Sequence, residues 1–156
     1  MGAWGAGSFQ NDWALDWLGD LCESGDSSLI RSTLNKVVEH GGTKYSAPSL
    51  LERLRGHRRH TDWLEASVAT EALAAGEIVA AWLGQPSEKL PENLIKWLQQ
   101  HASSFQPELV PLAVKAVNIV KTNSELKDLW DEGDVAKWMN EVADLEQRLG
   151  SPPPKQ

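Results

Sequence analysis

The chain has 156 residues, of which 41% are hydrophobic, a length and composition that suit one domain with a buried core. Its 15 Lys and Arg against 22 Asp and Glu give a formal net charge of −7, so phosphate repulsion excludes nucleic acid as the expected partner. The apolar runs are too short for a membrane span, and the start lacks the basic and apolar leader of an exported protein. One cysteine can form neither an internal disulfide framework nor a thiolate metal cluster. We therefore expect a cytoplasmic protein.

The N-terminal residues predict an aromatic arm followed by an amphipathic helix. Trp4 and Phe9 stand in a segment too rich in glycine for a helix, and we expect both side chains to enter the core. An exposed aromatic platform for a ligand is the alternative. Asn11 is a good N-cap, and the next apolar residues recur at helical spacing. They are Trp13, Leu15, Trp17, Leu18, Leu21 and Cys22. On this stripe Cys22 is expected to be a small buried hydrophobe rather than a thiolate.

Two further helices are predicted to begin before the middle of the chain. Ser27 or Ser28 caps the second helix, and a Gly-Gly pair ends it. The third helix begins at about Thr61 or Ser67 and ends at Leu83, before a glycine and a proline. Its many alanines allow neighbouring helices to come close, so we expect it at the centre of a bundle.

The C-terminal half predicts four more helices, each with a recognisable first residue. These residues are Pro91, Pro107, Ser124 and Asp134. Pro111 indicates that the second of these helices starts late or bends, and Gly150 ends the last one. Residues 151–156 are too proline-rich to pack and are expected to be a disordered tail. The prediction is a single all-α domain over residues 1–150, an irregular or orthogonal bundle of about six to seven helices with the arm packed on it.

Four ordered stretches of the sequence resemble a known family. They are MGAWGAGSF with NDWALDWLGDL, EALAAGEIVAAWLGQP followed by LP, SELKDLWDE, and VAKWMNEVADLEQRL. Together they resemble the bacterial domain-of-unknown-function family 4259 over residues 1–149, while residues 41–60 depart from it as a longer or divergent connection. The resemblance implies a small cytosolic helical protein. It brings no catalytic residue and no ligand, and it associates some members with immunity to toxins.

Enzymatic and metal chemistry find little support in the residue pattern. His57 and His60 are three apart, as in some zinc sites, but Gly56 weakens a helix there and nothing completes a ligand set. No nucleophile elbow, phosphate-binding loop or dinucleotide fingerprint is present. Acidic pairs such as those in residues 131–134 are typical of a solvated face or a helix cap. We therefore expect no catalytic residue, no metal and no cofactor.

Two charged features are candidates for contact with a partner. The first helix aligns four carboxylates at spacings of four, four and three, which we call the acidic ridge: Asp12, Asp16, Asp20 and Glu23. The ridge is either an ordinary solvated face or a decoy for the basic cleft of a nucleic-acid enzyme. The second feature is the basic segment: Arg53, Arg55, His57, Arg58, Arg59 and His60. It could pair with the ridge, bind a phosphate group or meet an acidic partner.

The expected function is therefore interaction with another protein, without catalysis. We expect an immunity (antitoxin-like) protein that binds and neutralises a cognate bacterial toxin with a basic surface. The alternative is a regulatory domain that uses the basic segment to bind a small phosphate-bearing ligand.

Overall fold

The computed structural model describes residues 5–24, 27–40, 64–122 and 124–150 and is all-α over these ranges. It contains seven α-helices there: α1 Asp12–Ser24, α2 Ser28–His40, α3 Ala66–Trp82, α4 Glu92–Gln100, α5 Leu109–Thr122, α6 Glu125–Asp131 and α7 Val135–Leu149. One 3₁₀ turn, Ala102–Ser104, follows α4. The predicted fold class, a bundle of six to seven helices, is confirmed. None of the described helices combines the length and the apolar character needed to cross a membrane.

Helix α3 lies at the centre of the bundle, as its alanines predict. It contacts every other α-helix that the structure describes, and most of its residues are buried. The approach is closest at Gly76, where an added Cβ would lie 3.1 Å from Cγ2 of Val117 and 3.3 Å from Cδ2 of Leu145. The absence of a side chain at Gly76 is therefore what lets α5 and α7 pack directly on the backbone of α3.

The predicted starts of three helices are confirmed by their N-cap hydrogen bonds. Three N-cap side chains accept a hydrogen bond from the backbone N–H three residues further on, at 2.8, 3.1 and 3.3 Å: Asn11, Ser124 and Asp134. Helix α5 begins at Leu109, two residues after Pro107. Pro111 lies in its first turn, where a backbone N–H needs no partner within the helix, so the helix tolerates it.

The N-terminal arm packs on the bundle through its apolar side chains. Phe9 is 7% exposed and belongs to the same core cluster as Ala6. A tight turn over residues 7–10 contains Phe9. The side-chain oxygen of Gln10 accepts a hydrogen bond from the N–H of Gly7 at 2.8 Å, and the Gln10 N–H donates to the Gly7 carbonyl at 3.0 Å. The burial predicted for Phe9 is confirmed. Trp4 lies outside the described residues, and so does the C-terminal tail.

Helix α1 buries a narrower face than its sequence predicts. Its buried residues are Ala14, Trp17, Leu18 and Leu21. Leu15 is 37% exposed and Cys22 is exposed, so the prediction that Cys22 is a buried hydrophobe is wrong. Both residues lie about 100° around the helix from the centre of the buried face, where the neighbouring helices no longer cover it. Partial burial still raises the pKa of the Cys22 thiol, which disfavours the thiolate.

Candidate functional site

The acidic ridge lies on the exposed face of α1. All four of its carboxylates are exposed, and Asp16 and Asp20 lie on the side of the helix away from the buried stripe. Within the part of the chain that the structure describes, no ridge residue forms an ion pair. Like charges at this spacing repel one another and weaken the helix that carries them. The ridge is therefore an accessible row of negative charge that no cation of the described residues neutralises by direct contact.

The negative field of the ridge reaches the neighbouring helix α3. Glu71 of α3 is half-buried, and burial is the main reason that its pKa is raised. Lys36 of α2 opposes this shift, and the charge of Asp20 in the ridge adds to it. Glu71 therefore extends the acidic surface sideways from the ridge, and Lys36 is the cation that partly balances it.

A second feature, which sequence analysis did not predict, begins where the ridge begins. It is a groove of about 330 Å³ between the N-terminal arm, the start of α1, the middle of α3 and the corner that joins α6 to α7. We call it the aromatic groove after the three indoles that line it: Trp13, Trp130 and Trp138. Its volume is at the lower end of the range for small-molecule sites, and it is too small to hold a helix.

The aromatic groove has an apolar interior and an acidic rim. Trp138 is 2% exposed and forms part of the base, whereas Trp13 and Trp130 are half-buried and present accessible ring surface. Three exposed carboxylates line the same groove: Asp12, Glu132 and Asp134. Asp12 is also the first residue of the acidic ridge, so the two features are continuous.

The charge at the rim can be compared with the helix dipoles that meet there. Helices α1 and α7 both begin at the groove, and each N-terminus carries about +0.5 of a unit charge. The three rim carboxylates carry three negative charges, so about two negative charges remain after these two N-termini are counted, and the C-terminus of α6, which also ends there, adds to them. No Lys, Arg or His is among the described residues that line the groove. The groove therefore favours a cation over an anion.

A buried ion pair holds the N-terminal arm against the bundle. The guanidinium of Arg148 in α7 meets the carboxylate of Glu77 in α3 through two hydrogen bonds, at 2.7 and 3.0 Å. The hydroxyl of Ser8 donates to the same carboxylate at 2.9 Å, and Nε of Arg148 donates to Asp144 at 2.8 Å. Burial opposes the charge of Arg148, but the hydrogen bonds and charges of Glu77 and Asp144 outweigh it and raise its pKa. Because Ser8 lines the aromatic groove, this network positions one wall of the groove.

Neither the groove nor this network was predicted from the sequence. Glu77 carries a signal that could have been used, since it is a single charge within the apolar run ALAAGEIVAAW and would need a partner. Nothing in the sequence identifies Arg148 as that partner, because it lies 71 residues further on. The indoles of the groove come from three separate helices, and periodicity alone cannot bring them together.

The remaining predicted site residues are not placed by the structure. The basic segment lies outside the described residues, so its relation to the acidic ridge stays a prediction. Within residues 5–24, 27–40, 64–122 and 124–150, no group of three or more His, Cys, Asp and Glu side chains is arranged to hold a metal ion. The three rim carboxylates of the groove therefore do not form such a group.

Fold and site together define an all-α bundle protein with an acidic ridge that leads into an aromatic groove. The chain belongs to the family described as Domain of unknown function (DUF4259), whose family model matches residues 2–50 and 42–141. The family membership expected from the sequence motifs is thus confirmed. The two matched segments overlap at residues 42–50, within the residues 41–60 for which the sequence motifs predict a longer or divergent connection. No curated protein and no solved structure matches the chain.

Proposed function

We propose that this protein binds a basic protein partner through the acidic ridge, and that the partner is a toxin which it neutralises in the cytoplasm. It acts by occupying the partner's basic cleft and not by catalysis. One observation carries the proposal: four exposed carboxylates form a row on α1 with no ion-pair partner among the described residues. A row that repels itself gains stability when a complementary cationic surface covers it.

The length of the ridge favours an extended basic surface over a single cation. From Asp12 to Glu23 the helix advances about 16 Å, which is about twice the Debye length at physiological ionic strength. One bound cation would be screened from the far end of such a row. A cleft that binds a polyanionic substrate presents several cations over this distance, and an acidic surface that enters it gains both speed and selectivity.

The test compares two double variants that carry the same change in net charge. Asp16→Lys with Asp20→Lys reverses the middle of the ridge, and Glu88→Lys with Glu108→Lys changes two exposed carboxylates elsewhere. Each takes the formal net charge from −7 to −3, because each replaces two negative charges with two positive ones. Far-ultraviolet circular dichroism should be unchanged in both, since all four side chains are exposed.

The wild-type protein is used to recover a stoichiometric partner from the native host at moderate salt, and that partner is then expressed in a second bacterium. We expect the partner to stop growth, and we expect growth to return with the wild type and with the Glu88/Glu108 variant. The Asp16/Asp20 variant should fail to restore it. Equal protection by both variants would contradict the ridge as the binding surface.

The basic segment supplies the opposing experiment. If the protein uses this segment instead, Arg55→Glu with Arg58→Glu should abolish binding while the Asp16/Asp20 variant retains it. That result would replace the proposal with one in which the partner, or a phosphate-bearing ligand, is acidic.

A further inference from the structure

We propose that the aromatic groove binds the side chain of a lysine or arginine, a cationic head on an aliphatic stem, supplied by the basic partner. The identity of the partner rests on the function proposed above. The preference of the groove for such a side chain rests on its own geometry: three indoles inside, three carboxylates at the rim and about 330 Å³ between them.

The interior of the groove suits the stem and the flat face of a guanidinium. Trp13 and Trp130 are half-buried, so each offers accessible ring surface, and Leu129 beside them is 38% exposed. A cation over the face of an indole is attracted by the ring quadrupole, most strongly where water is partly excluded. Arginine combines this stacking with hydrogen bonds to carboxylates, and its methylene stem can lie along apolar surface.

The rim decides the charge of the occupant. The carboxylates Asp12, Glu132 and Asp134 outweigh the two helix N-termini by about two charges, which disfavours an anion. They are not gathered into a group that could hold a metal ion, which favours an organic cation over an inorganic one. An uncharged apolar ligand would gain no electrostatic stabilisation from these carboxylates.

The groove and the ridge also point to one partner rather than two. Asp12 belongs to both, so a basic surface that lies along α1 also reaches the mouth of the groove. A single arginine or lysine inserted there would be a partly desolvated anchor, while the ridge contacts remain at the hydrated margin. Interfaces commonly draw most of their affinity from such a buried anchor.

Two probes that differ mainly in charge test the inference without any partner protein. N-acetyl-arginine methylamide carries the guanidinium, and N-acetyl-citrulline methylamide is its uncharged near-isostere. We expect the arginine probe to shift the indole N–H resonances of Trp13 and Trp130 and to bind about tenfold more tightly than the citrulline probe. Trp13→Phe and Trp130→Phe each identify one resonance.

Two conservative variants test whether the rim carboxylates cause the preference of the groove for a cation. Glu132→Gln removes one rim carboxylate, and Asp134→Asn removes another while keeping a residue that can cap α7. Each should weaken the arginine probe several-fold and leave the citrulline probe unchanged. Glu88→Gln, an exposed carboxylate outside the groove lining, should change neither and serves as the control.

Three results would overturn the inference. Equal affinity for the two probes would make the groove a site for apolar ligands. Shifts confined to residues outside the groove would place the cation site elsewhere. Binding by a Trp4→Ala variant but not by the wild type would mean that the chain's own N-terminal residues close the groove. None of these results bears on the ridge experiment, whose failure would instead remove the proposed partner and leave the groove's preference intact.

Discussion

Replacing Arg148 with methionine should destabilise the protein severely. The side chain of Glu77 is 5% exposed and that of Arg148 is 12% exposed, so the change leaves a buried carboxylate without its bidentate cation. Removing one partner of a buried ion pair costs about 3–5 kcal/mol. For a chain of this length each kcal/mol lowers the melting temperature by about 2–4 °C, so the Arg148→Met protein should melt about 6–20 °C lower.

The assay is urea unfolding followed by circular dichroism, with the free energy of unfolding compared at equal slope. A second variant, Glu77→Met with Arg148→Met, replaces both partners by apolar side chains and should recover most of the loss, since no unpaired charge remains. Asp144→Ala removes only the exposed partner, whose side chain is 59% exposed, and should cost less than about 1 kcal/mol. A loss below about 1 kcal/mol for Arg148→Met would refute the structural role given to the pair.

Three further predictions concern the arm, the tail and one titrating group. Deleting residues 1–9 removes the buried ring of Phe9 and should lower the free energy of unfolding by at least about 3 kcal/mol; an unchanged melting temperature would mean that the arm is not structural. Deleting residues 151–156 should leave the melting temperature unchanged, and a measurable fall would show that the tail docks. Because burial raises the pKa of Glu71 in the folded state, its charge destabilises the protein above that raised pKa and has no effect once both states are protonated. Glu71→Gln should therefore stabilise the protein near neutral pH, and the gain should vanish as the pH falls below the ordinary value of 4.5; an equal gain at both pH values would contradict the assignment.

Local signals predicted much of the fold. Side chains that cap helices act on N–H groups three residues away, so Asn11, Ser124 and Asp134 could be recognised without knowing the fold. The alanines of α3 likewise indicated a helix that others approach closely. The prediction failed at the margin of the stripe, because Cys22 has helical spacing but its side chain is exposed.

The candidate site was harder to predict because it depends on contacts between distant segments. Whether Trp13 and Trp130 face one groove is decided by how α1 and α6 pack on α3, and no periodicity contains that information. The acidic ridge could be predicted as a row, since it lies within one helix. The continuity of the ridge with an aromatic groove through Asp12 could not be predicted, because the walls in α3 and in the α6–α7 corner come from residues more than 50 positions away.

The salt dependence of association tests the central claim most directly, namely that the acidic ridge docks a basic protein. The partner recovered with the wild type is mixed with each double variant, and the association rate is measured from low to moderate salt. Steering by the ridge predicts that the Asp16/Asp20 variant associates at least about tenfold more slowly at low salt and loses most of its salt dependence, while the Glu88/Glu108 variant stays close to the wild type. Equal rates and equal salt dependence for the two variants would show that only net charge matters, and the ridge would then be an ordinary solvated face.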